Sequence, residues 1–429
     1  EDTINFKVNS VSHPRAQVTT GTIGGKTNGL TFQTGSETRW YQDGTQVSVS
    51  GKTYPEAPNV ARWDGSTPQV LFGAAVDVVK DRSFSAKVQA IRVYDRVLTV
   101  EELAGNAALD AQRYPSAAAL SDLAQSAWEA VVGNTADLGS NTSLAGLQAY
   151  AENCMTSEAK ASLTVAVADA GNGAYTFTYG AKNSGETVAQ HTFYVDCEYT
   201  LDMSQMDADA QKVLLNDVVQ YKGSGSIDVK WDDTAKALNY KGTRNGNPVS
   251  HLYFPVYSSG DAYVFETELS FVSGLTDWST MVFGADRFVE HLQYAFWGQR
   301  KASDNGAEFV RFQDPSKNTN WAVGHQNIPF SKVLETLGEK WEDTYTQNGD
   351  TYQVSDKLKM KVVVYNGMMY ALIDGVQVLA VGANGLLASD LNGVFGFNTA
   401  GTSMNIHKLS VRPITEENKE TELAGLKLI

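Results

Sequence analysis

Cysteine is almost missing from this chain: Cys154 and Cys197 are the only two in 429 residues. Two cysteines fit neither a disulfide scaffold nor a cysteine-based zinc site. They leave two readings open, a pair of buried thiols or one bridge, which would close a loop of about 43 residues and stabilise by roughly 4 kcal/mol. No run of about 18 apolar residues occurs, which argues against insertion into a membrane as a helix. Positive charge is short as well, with 34 Lys and Arg against 49 Asp and Glu, a net charge of -15 and a pI near 4.9. That field opposes polyanions, and nucleic acid is excluded as a partner. The sequence has no His-Glu-x-x-His, no Gly-x-Ser-x-Gly, no sialidase Asp-box and no phosphate loop. Its six histidines, His13, His191, His251, His291, His325 and His407, show no metal-ligand spacing. The first residue is Glu1 and not Met, and the expectation is a processed chain or a segment of a longer one.

What is present suits β-sheets and turns: 37 Gly, 19 Tyr and 17 Phe. The clearest stretch is 352–411. Lys359 to Tyr365 and Met368 to Ile373 are β-rich runs joined by Asn366-Gly367, the strongest short-range hairpin signal. Asp374-Gly375 turns the chain again into Gln377 to Val381, so three strands form a meander. Gly393 to Phe397 and Met404 to Val411 alternate with period two and supply two more. This order resembles the closing strands of the concanavalin A-like lectin/glucanase superfamily, and the resemblance implies a jelly-roll sandwich without assigning a catalytic residue.

The first block, 1–115, repeats the aromatic, Asp-Gly hairpin at Thr38 to Gly44. Its run from Ala86 to Asn106 contains Ile91-Arg-Val-Tyr94, the turn Asp95-Arg-Val-Leu-Thr99 and a helix start at Glu101-Glu102. That run resembles the end of laminin G-like domains of bacterial surface proteins, over roughly Leu30 to Arg113. Independently of the resemblance, Thr99 is placed to cap the helix, and Glu101 and Glu102 fall in its positive first turn. The front strands of such a domain are not found, so the block is expected to be incomplete or a small sandwich of its own. Residues 116–219 read as a connecting α+β module: helices over 117–132 and 143–154, strands over 161–167, 174–179 and 190–196, then a helix over 207–219. Residues 220–414 read as a second jelly roll. Residues 415–429 read as a linker into a further module. The expected class is therefore mainly β, tandem concanavalin A-like jelly-roll sandwiches joined by a small α+β module.

Two candidate sites stand out. Glu266 and Glu268 share one strand face about 7 Å apart, within the range of paired glycosidase carboxylates. Concanavalin-type glycosidases carry Glu-x-Asp-x-Glu, and here the corresponding positions lead to Ser270, so a solvated face is the simpler reading. The second site is Gln293 to Arg300 with Trp321 and His325. Trp297, Gln299, Arg300, Trp321 and His325 combine an apolar plate with amide, guanidinium and imidazole donors, the composition of a carbohydrate-binding surface. Trp297 as a core residue is the competing reading. Asp43, Asp64 and Asp374 sit at Gly-containing turns. Some laminin G-like domains bind calcium through such loops, so calcium is the one cofactor the resemblance raises, although Asp-Gly is ordinary turn chemistry. No catalytic residue is assigned. The expected function is non-catalytic binding of glycans or glycoproteins by part of a secreted or cell-surface bacterial protein. An accessory region of a glycan-degrading enzyme and a structural spacer are the alternatives.

Overall fold

The turns expected at Asn-Gly and Asp-Gly are present in the computed structural model, which describes residues 3–6, 16–19, 26–31, 37–53, 89–94, 96–222, 225–243, 250–273, 279–285, 293–297, 308–312, 320–325, 343–347, 350–354, 357–382, 391–399, 401 and 403–428. Asn366 and Gly367 have φ of 51° and 70°, and Asp374 and Gly375 have 47° and 82°. Two successive positive φ values make the tight turn that matches strand twist. The chain divides into two units, Glu1–Leu120 and Ser121–Ile429.

In the first unit β1 (Thr3–Phe6) pairs with β2 (Ala16–Thr19), and β3 (Asn28–Thr31), β4 (Glu37–Gln42) and β5 (Thr45–Thr53) form a three-stranded antiparallel sheet. Helix α1 (Val100–Arg113) opens with the expected cap. Thr99 Oγ1 accepts from the Glu102 N–H at 3.2 Å, and Glu102 Oε2 accepts from the Thr99 N–H at 2.9 Å, a reciprocal capping box. The helix lies directly on the β4–β5 turn, since a Cβ at Gly44 would stand 2.5 Å from the Ala104 Cα. The strand expected at Ile91 to Tyr94 does not form. That segment has no regular structure and is exposed, and its side chains tie it to α1. Arg92 pairs with both carboxylate oxygens of Asp110, and Asn106 Nδ2 donates to the Tyr94 hydroxyl at 3.1 Å. Two side-chain clamps hold the segment here, with no strand pairing among the described residues. The apolar run Val70 to Ala74 lies outside the described residues.

The second unit begins with α2 (Ala117–Gly133), α3 (Leu144–Cys154), α4 (Ser157–Ser162), β6 (Leu163–Gly171), β7 (Ala174–Ala181), β8 (Thr187–Val195), β9 (Tyr199–Asp202) and α5 (Ala208–Asp217). Then come β10 (Val219–Tyr221), β11 (Ile227–Asp232), β12 (Ala237–Gly242), β13 (Ser250–Ser258), β14 (Tyr263–Ser273), β15 (Ser279–Ala285), β16 (Gln293–Trp297), β17 (Glu308–Phe312) and β18 (Asn320–His325). The hairpin β19 (Asp343–Gln347) and β20 (Asp350–Val354) precedes β21 (Leu358–Tyr365), β22 (Met368–Ile373), β23 (Val376–Gly382), β24 (Gly393–Thr399) and β25 (Ser403–Pro413). Two sheets result. One has ten strands in the order β18-β17-β16-β15-β24-β13-β8-β7-β6, with β10 also on β13. The other has eight, β11-β12-β25-β14-β21-β22-β23, with β9 also on β25.

The inner faces of the sheets share one core. Leu252, Phe254, Met281, Phe283, Phe395 and Phe397 of the ten-stranded sheet are buried against Tyr240, Phe265, Met360, Val362, Ala371, Ile406 and Leu409 of the eight-stranded one. Edge-to-face contacts pin it: Tyr263 to Phe395 at 5.0 Å, Phe265 to Phe395 at 5.3 Å and Phe254 to Phe397 at 6.0 Å. Such pairs add to area burial and fix ring orientation.

Residues 116–219, expected as a separate connecting module, are built into both sheets. β8 pairs in parallel with β13 through Tyr194↔Val256 and Val195↔Tyr257, and β9 pairs with β25. The physical reason is an open strand edge: β8 ends beside β13, and the Asp196 N–H continues the pairing by donating to the Tyr257 carbonyl at 3.0 Å. Helices α2 and α3 cover this end, with Trp128 stacked on His191 at 4.6 Å and edge-on to Phe177 and Phe193. Cys154 and Cys197 are free thiols. Cys197 abuts Gly173, just before β7, while Cys154 is held beside Tyr150 and acts on Tyr179, further along the same strand. Gly173 and Tyr179 are six residues apart, about 20 Å along the strand, far beyond the reach of a disulfide. Burial pushes the Cys154 thiol up to about 12, so it is inert.

The tail, expected as a linker, docks on the outer face of the eight-stranded sheet. Ile414, Leu423 and Leu426 pack on Val264, Val363, Tyr370 and Leu372. Arg412 locks it, reaching Glu422 Oε2 at 2.8 Å and Glu266 at 3.1 Å, with Lys361 on Glu422 at 3.5 Å. Burial pushes the Glu422 carboxyl up, but the Arg412 hydrogen bonds and charge, joined by Lys361, outweigh it and hold the pKa below 4.5. A carboxyl whose folded pKa is depressed contributes stability above its unfolded pKa and loses it as pH falls through the folded value. Glu422→Gln is expected to cost about 2 kcal/mol at pH 7, with the difference from the parent shrinking as urea melts are repeated below pH 4.5. An equal difference at both pH values would mean that packing alone holds the tail.

Candidate functional site

Alternation decides which residues of the ten-stranded sheet face away from the core. Met281 and Phe283 are core residues, so their direct partners Phe296 and Tyr294 share the inner face, as do Phe309 and Arg311 one strand on. The intervening positions belong to the outer face. One outer row can be followed across seven strands: Tyr221↔His251, His251↔Asn398, Asn398↔Thr280, Thr280↔Trp297, Trp297↔Glu308 and Glu308↔His325. Strands are about 4.8 Å apart, so the row spans about 29 Å and Trp297 and His325 lie about 10 Å apart with Glu308 between them. The adjoining outer row is Tyr253, Gly396, Val282, Ala295, Val310 and Ala322.

The structure thus brings two of the five expected carbohydrate-binding residues, Trp297 and His325, onto one row. Trp321 pairs with Arg311, and through it with Tyr294, so it falls on a different row from Trp297. A bulge between Phe309 and Val310 shifts the register here. Gln299 and Arg300 lie outside the described residues, as does Asp64. Sequence reasoning missed Glu308, Asn398 and His251, which join the site only through pairing with distant strands.

At the closed end of the row His251 is 1% exposed. Burial pushes its pKa down to about 3, so the ring is neutral. Asn398 Nδ2 stands 3.1 Å from Nε2. The amide N–H₂ only donates, so Nε2 accepts and the ring proton sits on Nδ1. That buried Nδ1 has no hydrogen-bond partner among the described residues. Tyr221 and Tyr253 flank the ring, with centroids 6.1 and 5.5 Å away.

The carboxylates considered for glycoside cleavage lie on the other sheet, on its outer face. Glu266 is engaged by Arg412 at 3.1 Å and Glu268 by Lys357 at 3.1 Å. Nearby, Ser270 Oγ and His407 Nε2 are 2.7 Å apart, the first link of a Ser-His-acid relay. The acids around that ring are otherwise occupied, Glu268 by Lys357 and Asp232 by the N–H groups of Thr234 and Ala235. Of the turn aspartates, Asp43 binds Lys26 and the Thr27 N–H, and Asp374 accepts from the Lys359 N–H at 2.8 Å. Both do the work of turn closure. No group of three or more His, Cys, Asp or Glu among the described residues is placed to hold a metal ion. Among them, too, no helix is long and apolar enough to cross a membrane.

No protein-family model and no curated protein matches the sequence. Solved structures match over about half of the chain, at low identity. The carbohydrate binding module CBM66 from Bacillus subtilis is 12% identical, over 44% of this chain and 95% of its own, with a TM-score of 0.30. A Bacillus subtilis protein of unknown function with a galectin-like fold is 12% identical over 50% and 94%, TM-score 0.34. Bacillus licheniformis beta-glucanase is 6% identical over 51% and 98%, TM-score 0.31. The second unit is a β-sandwich of two facing sheets. Its strand order carries that statement, with the β21-β22-β23 meander on one sheet and β13-β24-β15-β16-β17-β18 facing it.

Because His251 is pushed down to about 3, the folded state binds fewer protons than the unfolded chain between that value and 6.5. Stability therefore falls as pH drops through this window, by up to about 1.4 kcal/mol per unit. His251→Gln keeps an acceptor for Asn398 and has no ring to protonate. Its urea-melt stability is expected to show a shallower slope between pH 6 and 4, by about one proton, and an unchanged slope would remove His251 from the account.

Proposed function

We propose that the second unit binds glycans, free or on glycoproteins, on the outer face of its ten-stranded sheet, without a catalytic step of its own, as part of a secreted or cell-surface protein. The observation that supports this reading is the single row Trp297, Glu308 and His325 on the face opposite the core, whose far end at Asn398 and His251 is buried. An indole offers an apolar plate to the C–H face of a sugar ring, while a carboxylate and an imidazole take its hydroxyls. The stretch from Trp297 to His325 is about 10 Å long, enough for one or two sugar units. Non-catalysis rests on the pairing of Glu266 and Glu268 with cations on the opposite sheet. Affinity for one sugar unit follows from size. About twelve heavy atoms at roughly 0.3 kcal/mol each give about 3.6 kcal/mol, a millimolar Kd. Retention on a surface then depends on several units binding together.

The test is a glycan array with the parent and two tryptophan variants. Trp297→Ala is expected to abolish retention while the melting temperature moves by no more than about 2 °C. Trp321→Ala, on the row of Tyr294, is expected to destabilise by about 3 to 5 kcal/mol. Loss of stability in Trp297→Ala, or undiminished retention, overturns the reading in favour of a structural spacer. Hydrolysis of an arrayed glycan by the parent overturns the non-catalytic part.

A further inference from the structure

A second cavity lies away from the Trp297 row. It has a volume of about 300 Å³ and is lined by Gln125, Glu129, Leu215, Asn216, Val218 and Gln220. Gln125 and Glu129 stand one turn apart on α2, Asn216 closes α5, and Gln220 is the middle residue of β10. Three primary amides, one carboxylate and two aliphatic side chains form the wall.

The polar groups are held in place from behind. Gln125 Nε2 donates to Glu129 Oε1 at 3.2 Å, which leaves the amide oxygen and the second carboxylate oxygen as acceptors. Asn216 is anchored by a buried unit: its amide is 3.3 Å from His191 Nδ1, and that nitrogen is 3.0 Å from Asp217 Oδ1. His191 and Asp217 are 2% and 7% exposed. Trp128 stacks on the imidazole and donates its indole N–H to the Asp217 carbonyl at 3.0 Å. A carboxylate only accepts, so the Nδ1 proton points to Asp217. The same nitrogen then cannot accept from Asn216, whose amide must turn its oxygen to the ring and its N–H₂ outward to the cavity. The Asn216 donors therefore face acceptors from Gln125 and Glu129, with Leu215, Val218 and the Gln220 amide beside them.

That set selects a ligand class. No cation lines the wall, which disfavours phosphates and carboxylates. An ammonium group would leave the amide donors unpaired. A hydroxyl donates and accepts at once, and adjacent hydroxyls match adjacent amide and carboxylate groups. We propose that this cavity binds a small neutral polyol, a monosaccharide or sugar alcohol, independently of the Trp297 row.

The experiment uses the whole chain with ¹³C-labelled Leu and Val methyl groups, titrated with glucose, with sorbitol and with methylammonium chloride. Saturable shifts of the Leu215 and Val218 methyls are expected with glucose or sorbitol, at concentrations on the order of millimolar, and none with methylammonium. Gln220→Ala and Glu129→Ala are expected to weaken the response about tenfold while other methyl signals stay in place, and Trp297→Ala to leave it unchanged. No shift of these two methyls up to about 50 mM polyol, a response to methylammonium instead, or loss of the response in Trp297→Ala overturns the proposal. The last control also separates this site from the glycan face, since either can fail while the other holds.

Discussion

Burial of one face of the ten-stranded sheet is the constraint on which the rest depends. Phe254, Phe283, Phe395 and Phe397 must meet Tyr263 and Phe265 of the opposite sheet. Side chains alternate along every strand, so fixing these residues inward leaves no freedom for their neighbours. His251, Asn398, Thr280 and, two strands further, Glu308 are sent outward by the packing of the residues beside them. A one-residue slip of any of these strands would exchange the two faces and expose the aromatic core. The candidate site is therefore positioned by hydrophobic burial, and its polar groups need no force of their own to converge.

The sandwich also recruits chain that could have remained separate. Strands β6 to β8 extend the ten-stranded sheet past β13, and α2 and α3 roof that extension, with Gln148 using both ends of its amide on the backbone of edge strand β6 at Val165 and Val167. On the opposite sheet, Glu422 and its apolar neighbours cover Tyr370 and Leu372. Each device closes an edge or a face that would otherwise invite non-native pairing.

Local chemistry was the legible part of the sequence. Asn366-Gly367 and Asp374-Gly375 mark their turns because only residues tolerant of positive φ fit there, and Thr99 with Glu102 marks a helix start because the first N–H groups need acceptors. Alternation within β16 already separated Trp297 from Tyr294 and Phe296. What failed was non-local. The row of Trp321 depends on a bulge opposite Phe309 and Val310. Glu308 becomes a neighbour of Trp297 only through the pairing of β16 with β17. The strands of 163–202 carry no sign of which edge they will join. Ile91 to Tyr94 has a good strand sequence but is not a strand, and its Arg92 is held by Asp110 of α1.

The central claim is that Trp297 and Trp321 lie on different rows of one sheet and that only the first meets glycan. Hydroxyl-radical footprinting read by mass spectrometry tests it directly, with and without a glycan retained on the array. The account predicts that Trp297 is oxidised in the free protein and protected by the glycan, while Trp321 is oxidised slowly in both states. Protection of Trp321, or a Trp297 that resists oxidation before any glycan is added, would contradict it.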